Sequence, residues 1–399
     1  VLDLDRIRAR FPALASGFVY LDNAGGSQTL ASVADRIRDY LLTTNVQLGA
    51  SYPVSVASAE RVRAAAGATA RYVGAESEAE IVLGSSTTQL LHNLALAMQD
   101  GLRPGDEVVI STADHEANAG PWKRLQARGV VVKEWRVDRD TWRLEARGLE
   151  ALLTERTRLV AFTHVSNLLG SVHDVAALTR LAHAHGARVC VDGVAYAPHR
   201  RVDVAAWDVD YYVFSFYKVF GPHMAVLYGK RAALDGLANI NHHFLGASAG
   251  PYKLQPGNVN FELSHGLGGI YEYVDELGGP DAAFDAIAEH EERLAERLLA
   301  YLRGKRGVRI HGERGADRAR RVPTVSFTVD GRTPESIVRA VDAHGVGIRH
   351  GDFYARRLAE ELGVGPTGVV RVSAAHYNSV DEMDRAVAAI DRAIDRARD

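Results

Sequence analysis

Two neighbouring stretches decide the fold: Ala187-Arg-Val-Cys-Val-Asp192-Gly193, and Asp210-Tyr-Tyr-Val-Phe-Ser-Phe-Tyr-Lys218-Val-Phe-Gly-Pro222. Each is an apolar, β-branched or aromatic run closed by a charged residue, Asp192 in one and Lys218 in the other. Such runs read as strands buried on both faces. Outward from Arg188–Asp192 and Tyr211–Ser215, similar runs recur at Glu107–Ser111, Val130–Val137, Leu159–His164 and Ala225–Tyr228. Helical patterns lie between several of them, as at Val175–Ala184 before Gly186. The alternation predicts βαβ units, hence an α/β fold with a mostly parallel sheet covered by helices. Ligands of such sheets gather beyond the carboxyl ends of the strands, so the residue after each run is where chemistry is sought.

Near residue 260 the pattern changes. Long helical stretches at Pro280–Arg303, Thr333–Ala343 and Ser379–Arg398 flank short strands at Thr324–Val329 and Val369–Ser373. The last helix opens with Ser379-x-x-Glu382, a capping box, and its apolar face is read as Val380, Met383, Val387, Ile390 and Ile394. This predicts a smaller α+β domain packed on the first.

Composition narrows the function classes. A chain of 399 residues has room for two to three domains, and 47% hydrophobic with 24% charged residues is globular. Lys and Arg number 47 against 50 Asp and Glu, which disfavours nucleic-acid or membrane-surface partners. Only six of those basic residues are lysine (positions 123, 133, 218, 230, 253 and 305), leaving 41 arginines. The one cysteine, Cys190, cannot form an internal disulfide. Val1-Leu-Asp-Leu-Asp-Arg6 lacks the features of a signal peptide, and no apolar run reaches membrane-spanning length. A cytoplasmic protein is the expectation.

Lysine at the end of a buried run is unusual, because an ammonium is expensive to bury unless paired or neutralised. A Schiff base with a carbonyl cofactor would remove that penalty for Lys218; a lysine snorkelling from a loop is the plainer alternative. Asp192 is placed to face the same crevice and could partner a pyridine nitrogen, or could simply cap a helix. Gly84-Ser-Ser-Thr-Thr-Gln-Leu90 offers hydroxyls and backbone N–H groups at a helix start, a phosphate site or an ordinary cap. His115, just past Glu107–Ser111, could stack on a flat ring or serve as a cap. His183-x-His185 and His242-His243 lack a carboxylate or thiolate at ligand spacing, so no metal site is expected.

Taken in order, these residues resemble the class V aminotransferase family, and within it the cysteine desulfurase-like group of fold type I pyridoxal phosphate enzymes. The resemblance runs from Phe18-Val-Tyr-Leu-Asp-Asn-Ala-Gly-Gly26 through Ser86-Thr-Thr88, Asp114-His-Glu-Ala-Asn118 and Thr163-His-Val-Ser-Asn-Leu-Leu-Gly170. It continues through Val191-Asp-Gly193 and Ser215-Phe-Tyr-Lys218 to Val370-Arg-Val-Ser373. It implies a large cofactor domain over 21–260 with a seven-stranded, mostly parallel sheet, and a small domain from 1–20 and 261–399. It implies pyridoxal phosphate as cofactor, an amino-acid substrate, and a homodimer with shared active sites. Lys218 would be the Schiff-base lysine, Asp192 the pyridine partner and His115 the stacking imidazole. Thr87, Thr88 and Ser215 would bind phosphate, with His265 reaching the partner's site. Asn167 would contact the cofactor oxygen or the substrate carboxylate, and Arg371 would grip that carboxylate. Ala24, Gly25 and Tyr354 would shape the substrate pocket.

The departures bear on reaction type. Tyr354 falls about where desulfurases carry a nucleophilic cysteine, and Cys190 lies inside a predicted strand, suited to a small core residue. Ala195 replaces a cofactor-contacting Gln or His, and Tyr217 replaces a His that precedes the lysine. The resemblance therefore points first to a desulfurase-like lyase without an enzyme persulfide. Transamination, epimerisation and a catalytically silent scaffold are the alternatives.

Overall fold

The computed structural model describes residues 2–395. Its central sheet has seven strands: β1 (Ile81–Gly84), β2 (Glu107–Ser111), β3 (Val131–Trp135), β4 (Thr157–Thr163), β5 (Arg188–Asp192), β6 (Tyr211–Ser215) and β7 (Ala225–Gly229). They lie in the order β1-β7-β6-β5-β4-β2-β3. Only β7 runs against its neighbours; the pairs from β6 across to β3 are parallel. β1 is antiparallel to β7, so it points the same way as the other five, and six carboxyl ends share one edge. The strand order reverses between β4 and β2, and such a reversal opens a crevice at that edge. β2, β6 and β7 are buried along their whole length and β5 from Val189 onward, which is why these runs are largely apolar rather than alternating.

The sequence reading missed β1. Four residues long and fused to the Ser/Thr-rich turn, Ile81–Gly84 carries too little pattern to separate from the helix that follows. The other boundaries shift by a residue or two, as helix and strand ends do.

Four further strands, β8 (Val308–His311), β9 (Thr324–Val329), β10 (Arg349–Gly351) and β11 (Val369–Ser373), form an antiparallel sheet in the order β10-β11-β9-β8. Val19–Tyr20 pairs in parallel with Val346–Gly347, and Val19 and Leu21 share a core with residues from Leu294 to Ile394. The helix at Val380–Asp395 packs there through Met383, Ala386, Ala389, Ile390, Ala393 and Ile394. The capping box forms in both directions: Glu382 N–H donates to Ser379 Oγ at 3.1 Å and Ser379 N–H to Glu382 Oε2 at 3.1 Å. Val380, read as part of the apolar face, is exposed, while Glu382 and Met383 of the same first turn are buried. The expected continuation to Arg398 extends outside the described residues. Among those described, no helix is long and apolar enough to cross a membrane.

Candidate active site

The shared edge of the large sheet opens into one cavity, and five strand ends supply its wall. β6 stops at Ser215, one turn earlier than a strand ending on Lys218 would. A 3₁₀ turn, Phe216–Lys218, then lifts the lysine over the edge. Gly221 N–H closes the turn on Phe216 O at 2.9 Å. Lys218 is buried and lines the cavity, and no hydrogen bond or ion pair engages its Nζ among the described residues. Burial, with the Arg371 charge nearby, holds its ammonium below the ordinary lysine range, while Asp192 and Asp22 pull the other way.

Asp192 ends β5 in the same wall. Its Oδ1 accepts from Val194 N–H at 2.9 Å, and Oδ2 has no partner among the described residues. Burial raises its carboxyl above the usual range; the Val194 bond and Lys218 oppose that shift. Gly193 must follow, because a Cβ there would stand 2.2 Å from the Tyr212 ring.

His115 leaves β2 on a loop fixed from beneath. Asp114 accepts from Ser111 and, at 2.7 Å, from Asn118 Nδ2, and Asn118 Oδ1 accepts from Trp122 at 3.2 Å. Burial pushes the Asp114 carboxyl up to about 8. His115 Nδ1 accepts from Ala117 N–H at 3.0 Å, so any ring proton sits on Nε2. Burial and the charges of Lys218 and Arg371 hold the imidazole near 4, hence neutral at physiological pH.

The helix Thr87–Met98 begins at the β1 end, capped by Ser86, which accepts from Gln89 N–H at 3.1 Å. Its first N–H groups belong to Thr87 and Thr88 and have no intrahelical acceptor, the ordinary basis of an anion site. Thr87 and Ser215 hydroxyls meet at 2.7 Å, joining the helix start to the β6 end. Asn167, beyond β4, donates Nδ2 to Phe353 O at 2.9 Å; its Oδ1 is buried without a partner. Ala195 and Tyr217 also line the cavity, and Tyr217 stacks on His223 with ring centroids 5.0 Å apart.

Arg371, on β11, comes from the other sheet. It is 2% exposed and donates to Asn167 O at 3.1 Å and to Asp22 Oδ1 at 2.9 Å. It borders the site through these two residues rather than lining the cavity. Ala24 and Gly25 sit on the turn after Asp22, tied to Ser373 Oγ by the Ala24 N–H at 2.9 Å. Tyr354 is 70% exposed, with its ring 5.3 Å from that of His115. His265 is not brought to this cavity: it packs at 6.0 Å from the Tyr40 ring, 4.0 Å from Asp39. Cys190 is fully buried in β5, and burial drives its thiol far above the usual range.

Reading the sequence did not single out Asp22, Asp114 or Phe353. Asp22 stands within the Phe18–Gly26 motif and was available as a signal; Phe353 gave none.

The residues fit pyridoxal phosphate on observations of this chain alone. Among the described residues, a buried amine has no hydrogen-bond or ion-pair partner, a buried carboxylate has one free oxygen, a buried amide oxygen is unpartnered, and a helix start with two hydroxyls closes the far end.

Comparison with known proteins gives a concordant result. A family model described as aminotransferase class-V matches residues 19–386. Over 397 residues the chain is 44% identical to the aminotransferase-like protein FGM3 of Gibberella zeae, covering 97% of this chain and 98% of that one. It is 34% identical over 411 residues to the cysteine desulfurase-like protein ustD of Aspergillus flavus, covering 99% and 92%. The crystal structure of the cysteine desulfurase CsdA (S-sulfonic acid) of Escherichia coli matches with a TM-score of 0.87 at 28% identity, over 99% of both chains.

Proposed function

The chain belongs to the class V aminotransferase family, with the α/β fold and the pyridoxal phosphate cofactor of that family, and on that premise we propose that it is a desulfurase-like lyase. It would eliminate a group from Cβ of an amino-acid substrate without storing sulfur on a cysteine of its own. The observation that carries this reading is Cys190. The chain's one cysteine is sealed inside β5 with its thiol held protonated, and thiolate is the nucleophilic form. Tyr354, which the resemblance puts about where a loop nucleophile would be, is exposed, in keeping with this reading.

Bound pyridoxal phosphate supplies an aldehyde that takes up amines and a conjugated ring that accepts electrons from Cα. Lys218 would hold it through Nζ, Asp192 would pair with its ring nitrogen, and Thr87, Thr88 and Ser215 would bind its phosphate. Lys218 Nζ, free of any hydrogen bond among the described residues, would also serve as the base that takes a proton from the substrate Cα, and its depressed pKa favours the neutral form that can do so. Neutral His115 would lie against the ring without competing for the charge on Asp192. Arg371 would receive the α-carboxylate.

The reading is tested with the holoenzyme and L-cysteine or β-chloro-L-alanine. Release of sulfide or chloride together with pyruvate is expected. Consumption of a 2-oxo acid acceptor with a new amino acid formed, and no β-leaving group released, would replace elimination by transamination. The identity to the aminotransferase-like protein of Gibberella zeae favours that second reading.

We take the working unit to be a homodimer. His265 lies beside Tyr40, and the neighbouring segment exposes Leu41, Leu42, Tyr52, Val54 and Val56, an apolar surface of the kind subunit interfaces cover.

A further inference from the structure

We infer that Phe353 is a positioning residue for the substrate: its ring fixes the Arg371 guanidinium in the plane from which the α-carboxylate is gripped. The inference rests on the amino-acid substrate proposed above. The Phe353 ring lies against the guanidinium face, 3.7 Å from Cζ to the ring centroid. Hydrogen bonds leave a guanidinium along its edge, so a stack on the face and a carboxylate in the plane do not compete. The edge is only partly used. Nη1 reaches Asn167 O and Nη2 reaches Asp22 Oδ1, while Nε is buried without a partner.

The loop around Phe353 is built to hold that ring still. Phe353 and Tyr354 both adopt positive φ, 52° and 58°, a conformation non-glycine residues take only under constraint. The constraint comes from both sides. Asn167 Nδ2 donates to Phe353 O, and Glu116 N–H donates to Tyr354 O at 2.8 Å. Asp352 accepts from Tyr354 N–H at 3.2 Å and from Arg356 Nε at 2.5 Å. At the loop's base Gly368 lies backbone against backbone with Gly351, where a Cβ would come within 2.0 Å. Asn167 thus ties together the two residues that stack, one through its carbonyl and one through its amide.

The test is a spectral titration of the holoenzyme with L-alanine, which carries an α-carboxylate, and with ethylamine, which does not. Phe353→Ala should weaken L-alanine about 10-fold, a loss in the range of one cation–π contact, and leave ethylamine within about 2-fold. Phe353→Tyr or Phe353→Trp should restore L-alanine binding, and Phe353→Leu should not. With a turned-over substrate the loss should appear in KM rather than kcat. Equal losses for both ligands, full rescue by leucine, or unchanged or tighter L-alanine binding in Phe353→Ala would overturn the inference while leaving the amino-acid reading intact. A wild-type spectrum that responds to neither L-alanine nor L-cysteine would overturn that reading, and this inference with it.

Discussion

Two lysines are buried among the described residues, and only one of them is satisfied. Lys253 is fully buried and donates to Asp235 O and Leu237 O at 3.2 and 2.9 Å. Arg321 is enclosed by the carbonyls of Glu313, Leu169, Val322 and Thr324, and Arg371 has Asp22 and Asn167. Lys218 has nothing comparable among the described residues. Leaving a buried charge unpaired costs several kcal/mol, so the fold retains Lys218 for what it can bond to, and arginine could not replace it there. Asp192 is the complementary case: a carboxylate kept at the same edge with one oxygen free. Asp192→Asn preserves its shape and its bond from Val194 while removing the charge. Turnover is expected to fall by about 100-fold or more, on the scale of removing a preorganised electrostatic partner, with the thermal midpoint little changed. Steady-state rates alongside a melting curve check this.

Elements turn these residues into a site, and here the limits of the sequence become physical. Lys218, Asp192 and His115 were legible because each stands at or just beyond the end of an apolar strand, a local signal. Phe353 was not, because its role exists only across the fold, and Asp22, although inside a legible motif, meets Arg371 only there. Asn167 and Phe353 are 186 residues apart, and Arg371 and Asp22 are 349 apart. His265, expected to reach the phosphate site of a partner subunit, lies beside Tyr40 at the start of an exposed apolar segment and away from the cavity of its own chain. At this scale the start of the helix Thr87–Met98 is testable. Thr87→Ala or Ser215→Ala should each weaken phosphate retention about 10-fold, as the loss of one hydrogen bond to a charged group does, read as cofactor released on dialysis. The loop under His115 is testable too. Asp114 is held protonated up to about pH 8, so Asp114→Asn should be nearly neutral. Asp114→Ala strands Asn118 and should destabilise by about 1–3 kcal/mol, measurable in denaturant.

Across the whole molecule, burial has stripped several histidines of their charge. His164, His173, His311 and His376 are buried. Desolvation holds His173 and His376 near 3 and His311 near 4, with His164 lowered as well. Between pH 6.5 and about 4 the unfolded chain binds protons that these rings refuse, so stability is lost as pH falls through that window. The slope is about 1.4 kcal/mol per histidine per pH unit. His115, held near 4, acts with these histidines, while Asp114 and Asp192, both raised by burial, act with the opposite sign. The thermal midpoint should therefore drop by several degrees from pH 7.0 to 5.5; an unchanged or higher midpoint would contradict this ledger of buried groups.

The central claim is that the one unpaired buried lysine carries the cofactor. Borohydride reduction of the holoenzyme followed by peptide mass mapping tests it most directly. The account predicts a phosphopyridoxyl group on Lys218 and none in Lys218→Ala; label on any of the other five lysines, or a colourless protein that takes up no cofactor, would contradict it.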